Sequence, residues 1–204
     1  MIPESSIRAF AEAAWVQGPR FEIPLPDVGG AVLLDLGGGP GVYARALVER
    51  GAARVCWVDA SATLESIARE KLADLSGVEF RLADMGDLSA YPDQSFDGVL
   101  FRDALHHALD EARVLREVAR VLRPGGWLYL EFPTVGRVFA ERTPARAVVD
   151  MLLAALGLLL GRKPRATWFC SRRAVQARLS QAGFEVRQRD GDRRRATWLA
   201  RRGR

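Results

Sequence analysis

The sequence predicts an α/β protein with a mostly parallel β-sheet. From residue 31 onward, short apolar runs alternate with helix-like patterns, which is typical of parallel strands joined by right-handed helical crossovers. A glycine-rich turn at residues 37–41 follows the first apolar run and indicates a strand that leads directly into a helix. The chain has 204 residues, 49% of them hydrophobic, which is enough to bury one full core. We therefore expect residues 1–204 to form a single domain.

An amino-terminal helix is expected over residues 4–17, as part of a helical cap formed by residues 1–29. The apolar residues that share one face of this helix at helical spacing are Ile7, Phe10, Ala14 and Trp15. Gly18 and the proline after it end the helix, and the proline-rich segment 24–26 favours an extended approach to the first strand.

The glycine-rich turn is the most informative part of the chain. An apolar run ends near Asp35, and Gly37, Gly39 and Gly41 then alternate before a helical pattern begins. Glycines let the backbone approach a ligand closely, and the following helix offers unpaired N–H groups at its N-terminus. The dinucleotide fingerprint Gly-x-Gly-x-x-Gly is not met, because its last position is Val42. We expect a nucleotide-like ligand over this turn.

Two further apolar runs also end in acids. Asp59 follows the run 55–58, about 20 residues beyond the glycine turn, where an acid at the end of the second strand can accept hydrogen bonds from both ribose hydroxyls. Asp84 ends a third run, 78–83, in the same way.

In this order the segments resemble the class I S-adenosylmethionine (SAM) dependent methyltransferases. Asp35-x-Gly37-x-Gly39-x-Gly41 is similar to the first motif of that family. The later matching segments are 55–59, 78–85, 96–101 with 104–107 behind it, 115–130 with its Pro-Gly-Gly turn, and 180–186. The resemblance covers residues 30–132 closely and 168–190 more loosely. The subgroup it resembles contains the small-molecule methyltransferases of the ubiquinone/menaquinone-biosynthesis type, also called methyltransferase type 11.

The resemblance implies a Rossmann-like sheet of seven strands, mostly parallel, with helices on both faces. Residues 183–202 form the last two strands around the turn at 190–192. The family's sheet order then places the last strand antiparallel between the fifth and sixth strands.

The resemblance also implies that SAM is the cofactor and S-adenosylhomocysteine the product. At the amino-acid end, the Gly37 carbonyl is expected to face the methionine ammonium, while Gly39 and Gly41 let the cofactor lie close. Asp35 is expected to orient the loop and the ammonium, and the backbone around Arg102 completes this end of the site.

At the nucleoside end, the family's pattern gives Asp59 the role of ribose ligand. Ala60 and Met85 are expected to border the adenine, with the Met85 N–H facing it, and Asp84 to bind the adenine amino group. From the residues alone, Asp35 and Asp84 could instead cap the turns that follow them.

The two histidines of the chain, His106 and His107, follow the fourth predicted strand, where acceptors approach in this fold. An imidazole with a pKa near neutrality can take a proton from a phenol, an enol or an amine. The candidate catalytic base is His107, preferred from the family's pattern, or His106, and Asp103 could orient either one. One of the pair could simply anchor the next helix. No metal site is expected, since no cluster of acids and amides stands out.

The segment 133–167 departs from a minimal fold and is predicted to be a helical insertion. Thr143 can cap a helix that begins at Pro144 and ends near Leu160. Such a helix is about 25 Å long, shorter than the ~30 Å core of a bilayer, so a transmembrane segment is not expected. Because its own apolar residues occupy nearly the whole circumference, the helix must bury most of its surface. It is interpreted as a helix packed on its own domain, a homodimer contact, a lid that favours an apolar acceptor, or a membrane-surface contact.

Composition and termini limit the remaining choices. Cys56 and Cys170 show neither metal spacing nor a disulfide framework, and residues 1–6 lack the pattern of a secretory signal. The reducing cytoplasm is therefore the expected compartment.

The net charge of +5 and the arginines of the segment 187–204, with Trp198 among them, suggest an RNA methyltransferase as an alternative. We favour a terminal hairpin with solvated arginines and a buried Trp198. A small-molecule acceptor is therefore preferred to nucleic acid, and a SAM-binding partner protein without catalysis is the second alternative.

Overall fold

Seven strands form the central sheet of the computed structural model, which describes residues 3–134, 149 and 170–203. In chain order the strands are β1 (Val32–Leu36), β2 (Arg54–Asp59), β3 (Val78–Leu82), β4 (Phe96–Arg102), β5 (Leu122–Pro133), β6 (Phe184–Gly191) and β7 (Arg195–Arg202). Their order across the sheet is β3-β2-β1-β4-β5-β7-β6. Strands β1 to β5 pair in parallel, whereas β7 is antiparallel to both β5 and β6. The predicted sheet, including the place of its last strand, is confirmed.

The helices of the described residues begin where the sequence offers caps. They are α1 (Glu4–Gln17), α2 (Val42–Glu49), α3 (Ala62–Lys71), α4 (Glu111–Val121) and α5 (Arg172–Gln181), with a short 3₁₀ helix at Leu105–His107. The side chains of Ser61, Asp110 and Ser171 accept a backbone N–H at the starts of α3, α4 and α5. The bounds predicted for the first helix are confirmed.

Apolar side chains of the strands pack against helices on both faces of the sheet. On one face, Leu33 and Leu100 lie in a cluster with residues of α2, α3 and the segment after α1. On the other face, Leu34 and Val99 lie in a cluster with residues of α4 and α5. Neighbouring strand residues therefore serve opposite layers, as in a parallel sheet that is buried on both sides.

The Pro-Gly-Gly turn that was expected ahead of the fifth strand lies instead inside β5. Phe96 of β4 pairs with Leu122, but Gly98 already pairs with Trp127, so the extra residues of β5 form an irregularity in the register. Gly125 in this stretch has a φ of +77°, a conformation that glycine adopts without strain. Residues 123–126 have no partner on β4, so the Pro-Gly-Gly turn lies between two stretches of β5 that pair with that strand.

The terminal hairpin is confirmed as part of the core. Trp198 of β7 is buried, and its ring meets that of Phe132 edge-on at a centroid distance of 5.1 Å. Arg201 and Arg202 donate to the carbonyls of Gly125 and Leu122, which ties the hairpin to β5.

The predicted helix 144–160 lies, apart from residue 149, outside the described residues. Within the part of the chain that is described, no helix combines the length and the apolar character needed to cross a membrane.

Candidate functional site

A pocket of about 800 Å³ opens at the carboxyl edge of the parallel strands. It lies beside β1, which has β2 on one side and β4 on the other. At this point the crossovers leave the sheet in opposite directions, and open α/β sheets bind their ligands there. Of the residues that were predicted to form the site, the pocket is lined by Asp35, Gly37, Gly39, Asp59, Ala60, Met85, Arg102, His106 and His107.

The glycine turn lines this pocket, and at Gly37 and Gly38 it is packed so tightly that a side chain is excluded. A Cβ on Gly37 would lie 2.5 Å from the Cβ of Ala104, and one on Gly38 would lie 2.2 Å from the Trp57 ring. A Cβ on Gly39 would have the Gly37 carbonyl oxygen, 4.0 Å away, as its nearest neighbour, so the space beside Gly39 belongs to the pocket. The indole N–H of Trp57 also donates to the Gly39 carbonyl over 3.1 Å. Trp57 and Gly38 therefore shape the turn, and the sequence pattern had singled out neither.

Gly41 has a different place from that expected. It is the left-handed N-cap of α2, with a φ of +89°, and it does not line the pocket. A Cβ there would lie 2.8 Å from Leu72 and 3.2 Å from Ala68, both of α3. Gly41 thus allows α2 and α3 to approach each other.

The carboxylate of Asp59 joins two loops at the end of β2. Its Oδ2 accepts the Gly39 N–H over 3.0 Å and its Oδ1 accepts the Ser61 N–H over 2.9 Å. Burial raises the pKa of Asp59, and these backbone N–H groups oppose that shift. Since a carboxylate can accept about four hydrogen bonds, the group keeps acceptor capacity for a ligand in the pocket.

Asp35 is the most deeply buried acid that was predicted for the site. The residue is 3% exposed, and its Oδ2 has no hydrogen-bond partner among the described residues. Burial and the nearby charge of Asp59 raise the pKa of Asp35 to about 7, while Arg102 acts against this shift. A buried carboxyl group in this state favours a cationic partner.

The predicted adenine side of the pocket is only partly assembled from the expected residues. Ala60 and Met85 line the pocket, whereas Asp84 is exposed and does not line it. The Asp84 Oδ1 accepts the Gly86 N–H over 2.7 Å, so this side chain caps the turn that follows β3. A role for Asp84 in binding adenine stays a prediction.

A buried ion-pair cluster, which sequence reasoning missed, forms another wall. Glu131 of β5 is fully buried and binds Arg102 of β4 through Oε2 and Arg195 of β7 through Oε1. Arg102 also lies 3.5 Å from Glu22, and its guanidinium stands over the ring of Tyr43 at 4.2 Å from the centroid. The signal that could have found the cluster is a lone acid, Glu131, inside the apolar run of β5.

The two histidines differ in environment, although both line the pocket. His106 is buried and His107 is exposed, with their ring centroids 3.9 Å apart. Burial raises the pKa of Asp59, and an electrostatic interaction with His107 is among the influences that oppose this shift, which indicates that the two groups are close. Asp103, just before them, has a φ of +48°, an unusual conformation for a residue other than glycine.

Helix α1 lies against the glycine turn and forms one side of the pocket. The indole N–H of Trp15 donates to the Pro40 carbonyl over 3.0 Å. The residues of α1 and its C-cap that line the pocket are Phe10, Ala13, Ala14, Gln17 and Gly18.

Comparisons with known proteins relate this chain to methyltransferases. Residues 34–130 match the family described as a methyltransferase domain. Over 120 residues the chain is 35% identical to a ubiquinone biosynthesis O-methyltransferase of Xanthomonas oryzae pv. oryzae. This alignment covers 58% of this chain and 47% of the relative. Over 138 residues the chain is 37% identical to a demethylmenaquinone methyltransferase of Tropheryma whipplei. That alignment covers 67% of this chain and 56% of the relative. The chain thus spans about half the length of the curated relatives that it matches.

Among solved structures, an S-adenosylmethionine dependent methyltransferase from Mesorhizobium loti superposes with a TM-score of 0.70. The alignment covers 97% of this chain and 96% of the other, at 22% sequence identity. This likeness concerns the fold.

Proposed function

We propose that the chain transfers the methyl group of SAM to a small-molecule acceptor, and the match of residues 34–130 to the family of methyltransferase domains supports this. SAM is the cofactor that the family and the fold imply. The observation that carries the proposal is the buried, unpaired Oδ2 of Asp35 beside a glycine turn that leaves open space in the pocket.

The residues of the pocket fit SAM at both of its ends. The amino-acid end offers the carboxyl group of Asp35 to an ammonium, in a place where burial makes an unpaired charge costly. The nucleoside end offers the carboxylate of Asp59 to ribose hydroxyls, between two loops that the same carboxylate holds in place. Gly39 presents backbone alone, so no side chain at this position projects into the pocket.

The chemistry that SAM supplies when bound is a methyl group on a positively charged sulfur, ready for in-line displacement. The residues of this chain then act mainly by position. Correct alignment of two reactants is worth about 7–11 kcal/mol, whereas a general base contributes about 10²–10⁴-fold, or about 3–5 kcal/mol. Asp59 joins the glycine turn to the loop after β2, and residues of α1 line one side of the pocket.

The acceptor that we propose is a small, partly apolar molecule with an ionisable hydroxyl or enol. Apolar side chains of Phe10, Leu64 and Met85 line the pocket together with the charged groups. The curated relatives are named for the O-methylation step of ubiquinone biosynthesis and for the methylation of demethylmenaquinone, both of which concern small molecules.

Calorimetric titration of the purified protein with SAM, S-adenosylhomocysteine and NADH tests the cofactor. We expect micromolar binding of the two adenosyl ligands and none of NADH, because the glycine turn lacks the dinucleotide fingerprint. Binding of NADH alone would overturn the proposal. Binding of SAM in a stable hetero-complex, without transfer to any acceptor, would favour a partner protein that has no catalytic activity.

His107 is the proposed base, since it is exposed in the pocket and lies near Asp59. We expect His107→Gln to lower the rate of methyl transfer by about 10²-fold or more and to leave the affinity for S-adenosylhomocysteine unchanged. The rate is measured with the best acceptor from a screen of substituted phenols, and His106→Gln serves as the comparison. Full turnover in both variants would rule out a histidine base.

The alternative of an RNA acceptor loses one of the features that suggested it, the aromatic residue among the terminal arginines. Trp198 is buried against Phe132 and is not available to stack on a base. We therefore propose that nucleic acid is not the acceptor, and salt-dependent retention of RNA by the protein would contradict this.

A further inference from the structure

Arg195 and Asp59 line the same pocket from distant strands of the sheet. Asp59 ends β2 and Arg195 begins β7, and the strands β1, β4 and β5 lie between them. Neighbouring strands are about 4.8 Å apart, so four steps separate the two strands by about 19 Å. In the proposed function the nucleoside lies at Asp59. The end of the pocket at Arg195 is then left for the methyl acceptor.

The backbone of Arg195 and one edge of its guanidinium group are held in place. Its N–H donates to Oδ1 of Asp192 over 3.0 Å, and its carbonyl accepts from Arg172 over 3.1 Å. Its Nη1 donates to Oε1 of the fully buried Glu131 over 2.5 Å. A side chain that is already anchored loses little further freedom when a ligand binds, which favours affinity.

The other edge of this guanidinium group, formed by Nε and Nη2, faces no hydrogen-bond acceptor among the described residues. Nη2 lies 3.6 Å from Oδ2 of Asp103, which is too far for a hydrogen bond. The side chain of Arg195 is 39% exposed and lines the pocket. The two N–H groups along one edge of a guanidinium match the two oxygens of a carboxylate.

The charges near Arg195 are compatible with an anionic ligand. Glu131 lies between the guanidinium groups of Arg102 and Arg195, so its own negative charge is balanced. Asp103 opposes an anion, but its side chain is 36% exposed and its contact with Arg195 is long. Such a contact contributes little to stability. A carboxylate that makes two direct hydrogen bonds to Arg195 can therefore take its place.

We propose that the methyl acceptor carries a carboxylate group and that Arg195 binds it through Nε and Nη2. Glu131 is the positioning residue that orients the guanidinium group. The inference rests on the proposed function, because it names the chemical class of the acceptor for the same pocket. The acceptor has its reacting hydroxyl on the side of the cofactor and its carboxylate on the side of β7.

Pairs of phenols that differ by a carboxylate test this inference. The pairs are 4-hydroxybenzoate with 4-methylphenol, and 3,4-dihydroxybenzoate with 4-methylcatechol. Calorimetry on the full chain, saturated with S-adenosylhomocysteine, measures the dissociation constant of each phenol. S-adenosylhomocysteine lacks the positive charge of SAM, so a preference for the carboxylate then comes from the protein. The affinity for S-adenosylhomocysteine itself is measured first for every variant.

The variants separate binding of the carboxylate from a structural role of Arg195. They are Arg195→Gln, Arg195→Lys, which keeps the charge without the fork, and Asp103→Asn, which removes the opposing charge. Asparagine tolerates the positive φ of residue 103. The matched control is Arg194→Gln, because Arg194 is the preceding residue, is exposed and does not line the pocket.

We expect the wild type to bind each carboxylate at least about tenfold more tightly than its uncharged partner. Arg195→Gln should weaken the binding of the carboxylates by about 10- to 150-fold and leave the uncharged phenols and S-adenosylhomocysteine unchanged. Arg195→Lys should lie between Arg195→Gln and the wild type. Asp103→Asn should tighten the binding of the carboxylates by up to about fivefold. The control should behave as the wild type does.

The inference is overturned if neither carboxylate binds the wild type more tightly than its uncharged partner. Equal weakening of charged and uncharged phenols in Arg195→Gln would also overturn it, since Arg195 would then only tie β7 to β5. If Arg195→Gln does not fold, Arg195→Lys and Asp103→Asn decide the question. A wild type that does not bind S-adenosylhomocysteine would contradict the proposed function itself, and the inference with it.

Discussion

Replacing Asp35 by asparagine is expected to stabilise the ligand-free protein above pH 7 and to weaken its binding of S-adenosylhomocysteine. The buried carboxyl group has a pKa raised to about 7, so the native state resists its ionisation. The cost is absent below about pH 4, where the group is protonated in both the native and the unfolded chain. It grows as the pH rises from about 4 to 7 and is complete above that, at up to about 4 kcal/mol. Asparagine has a similar shape and carries no charge, so its variant lacks this loss of stability.

Denaturant unfolding at pH 5 and pH 8 measures the stability part of this prediction. The free energy of unfolding of Asp35→Asn should exceed that of the wild type by more at pH 8 than at pH 5. The matched control is Asp97→Asn at the other end of the sheet, where the carboxylate is paired with Arg123 and accepts the Val32 N–H. That control should lose stability at both pH values. A decrease in stability for Asp35→Asn at pH 8 would contradict a buried, unpaired carboxylate.

The binding part of the prediction has the opposite sign. At pH 8 Asp35 is ionised, and in the proposed site it faces the ligand ammonium. The loss of one hydrogen bond between charged groups costs about 1.5–3 kcal/mol, or about 10- to 150-fold in affinity. Below pH 7 the wild-type affinity should fall as Asp35 takes up a proton, whereas the affinity of Asp35→Asn should not follow this trend. A parallel pH dependence in both proteins would assign the effect to another group.

The substitution Asp59→Ala is expected to have the largest effect on cofactor binding. It removes the acceptor for the N–H groups of Gly39 and Ser61 as well as the proposed ribose contact. Each hydrogen bond to a charged group is worth about 1.5–3 kcal/mol, so we expect a loss of more than about 100-fold for S-adenosylhomocysteine. Asp59→Asn, which keeps one carbonyl acceptor, should lie between Asp59→Ala and the wild type.

Calorimetry with S-adenosylhomocysteine measures this loss, and Asp74→Ala is the control. Asp74 is an exposed acid that pairs with Arg45 of α2 and does not line the pocket. Its variant should bind as the wild type does. Unchanged affinity in Asp59→Ala would show that this carboxylate contributes neither to the loop nor to the ribose.

Local patterns in the sequence were sufficient to predict the elements that carry the site. The helix at Glu4–Gln17, the strand before the glycine turn and the terminal hairpin are where apolar spacing and turn residues indicated them. These signals work because helix and strand periods are properties of a few consecutive residues. The Pro-Gly-Gly turn is also present, but it interrupts the pairing of β5 with β4, because Leu122 already pairs with Phe96 ahead of it.

The pocket itself depends on residues that are distant in the chain. The position of Gly38 against Trp57 and of Gly41 against α3 follows from the packing of separate elements, and no pattern within the turn separates their roles. Glu131 meets Arg102 and Arg195 only because β5 lies between β4 and β7.

What could be read from the chain was the α/β fold, the resemblance to a family and the set of acids and glycines that were predicted to face a nucleotide-like ligand. The tertiary structure alone decided which of these residues share one pocket, placing Asp35 and Asp59 in its wall and Asp84 outside it. It also decided the charge state that burial favours at Asp35 and the partners of Arg102. The physical reason is that periodicity and turn chemistry act along the chain, whereas burial, register and electrostatic pairing arise between strands that only the folded sheet brings together.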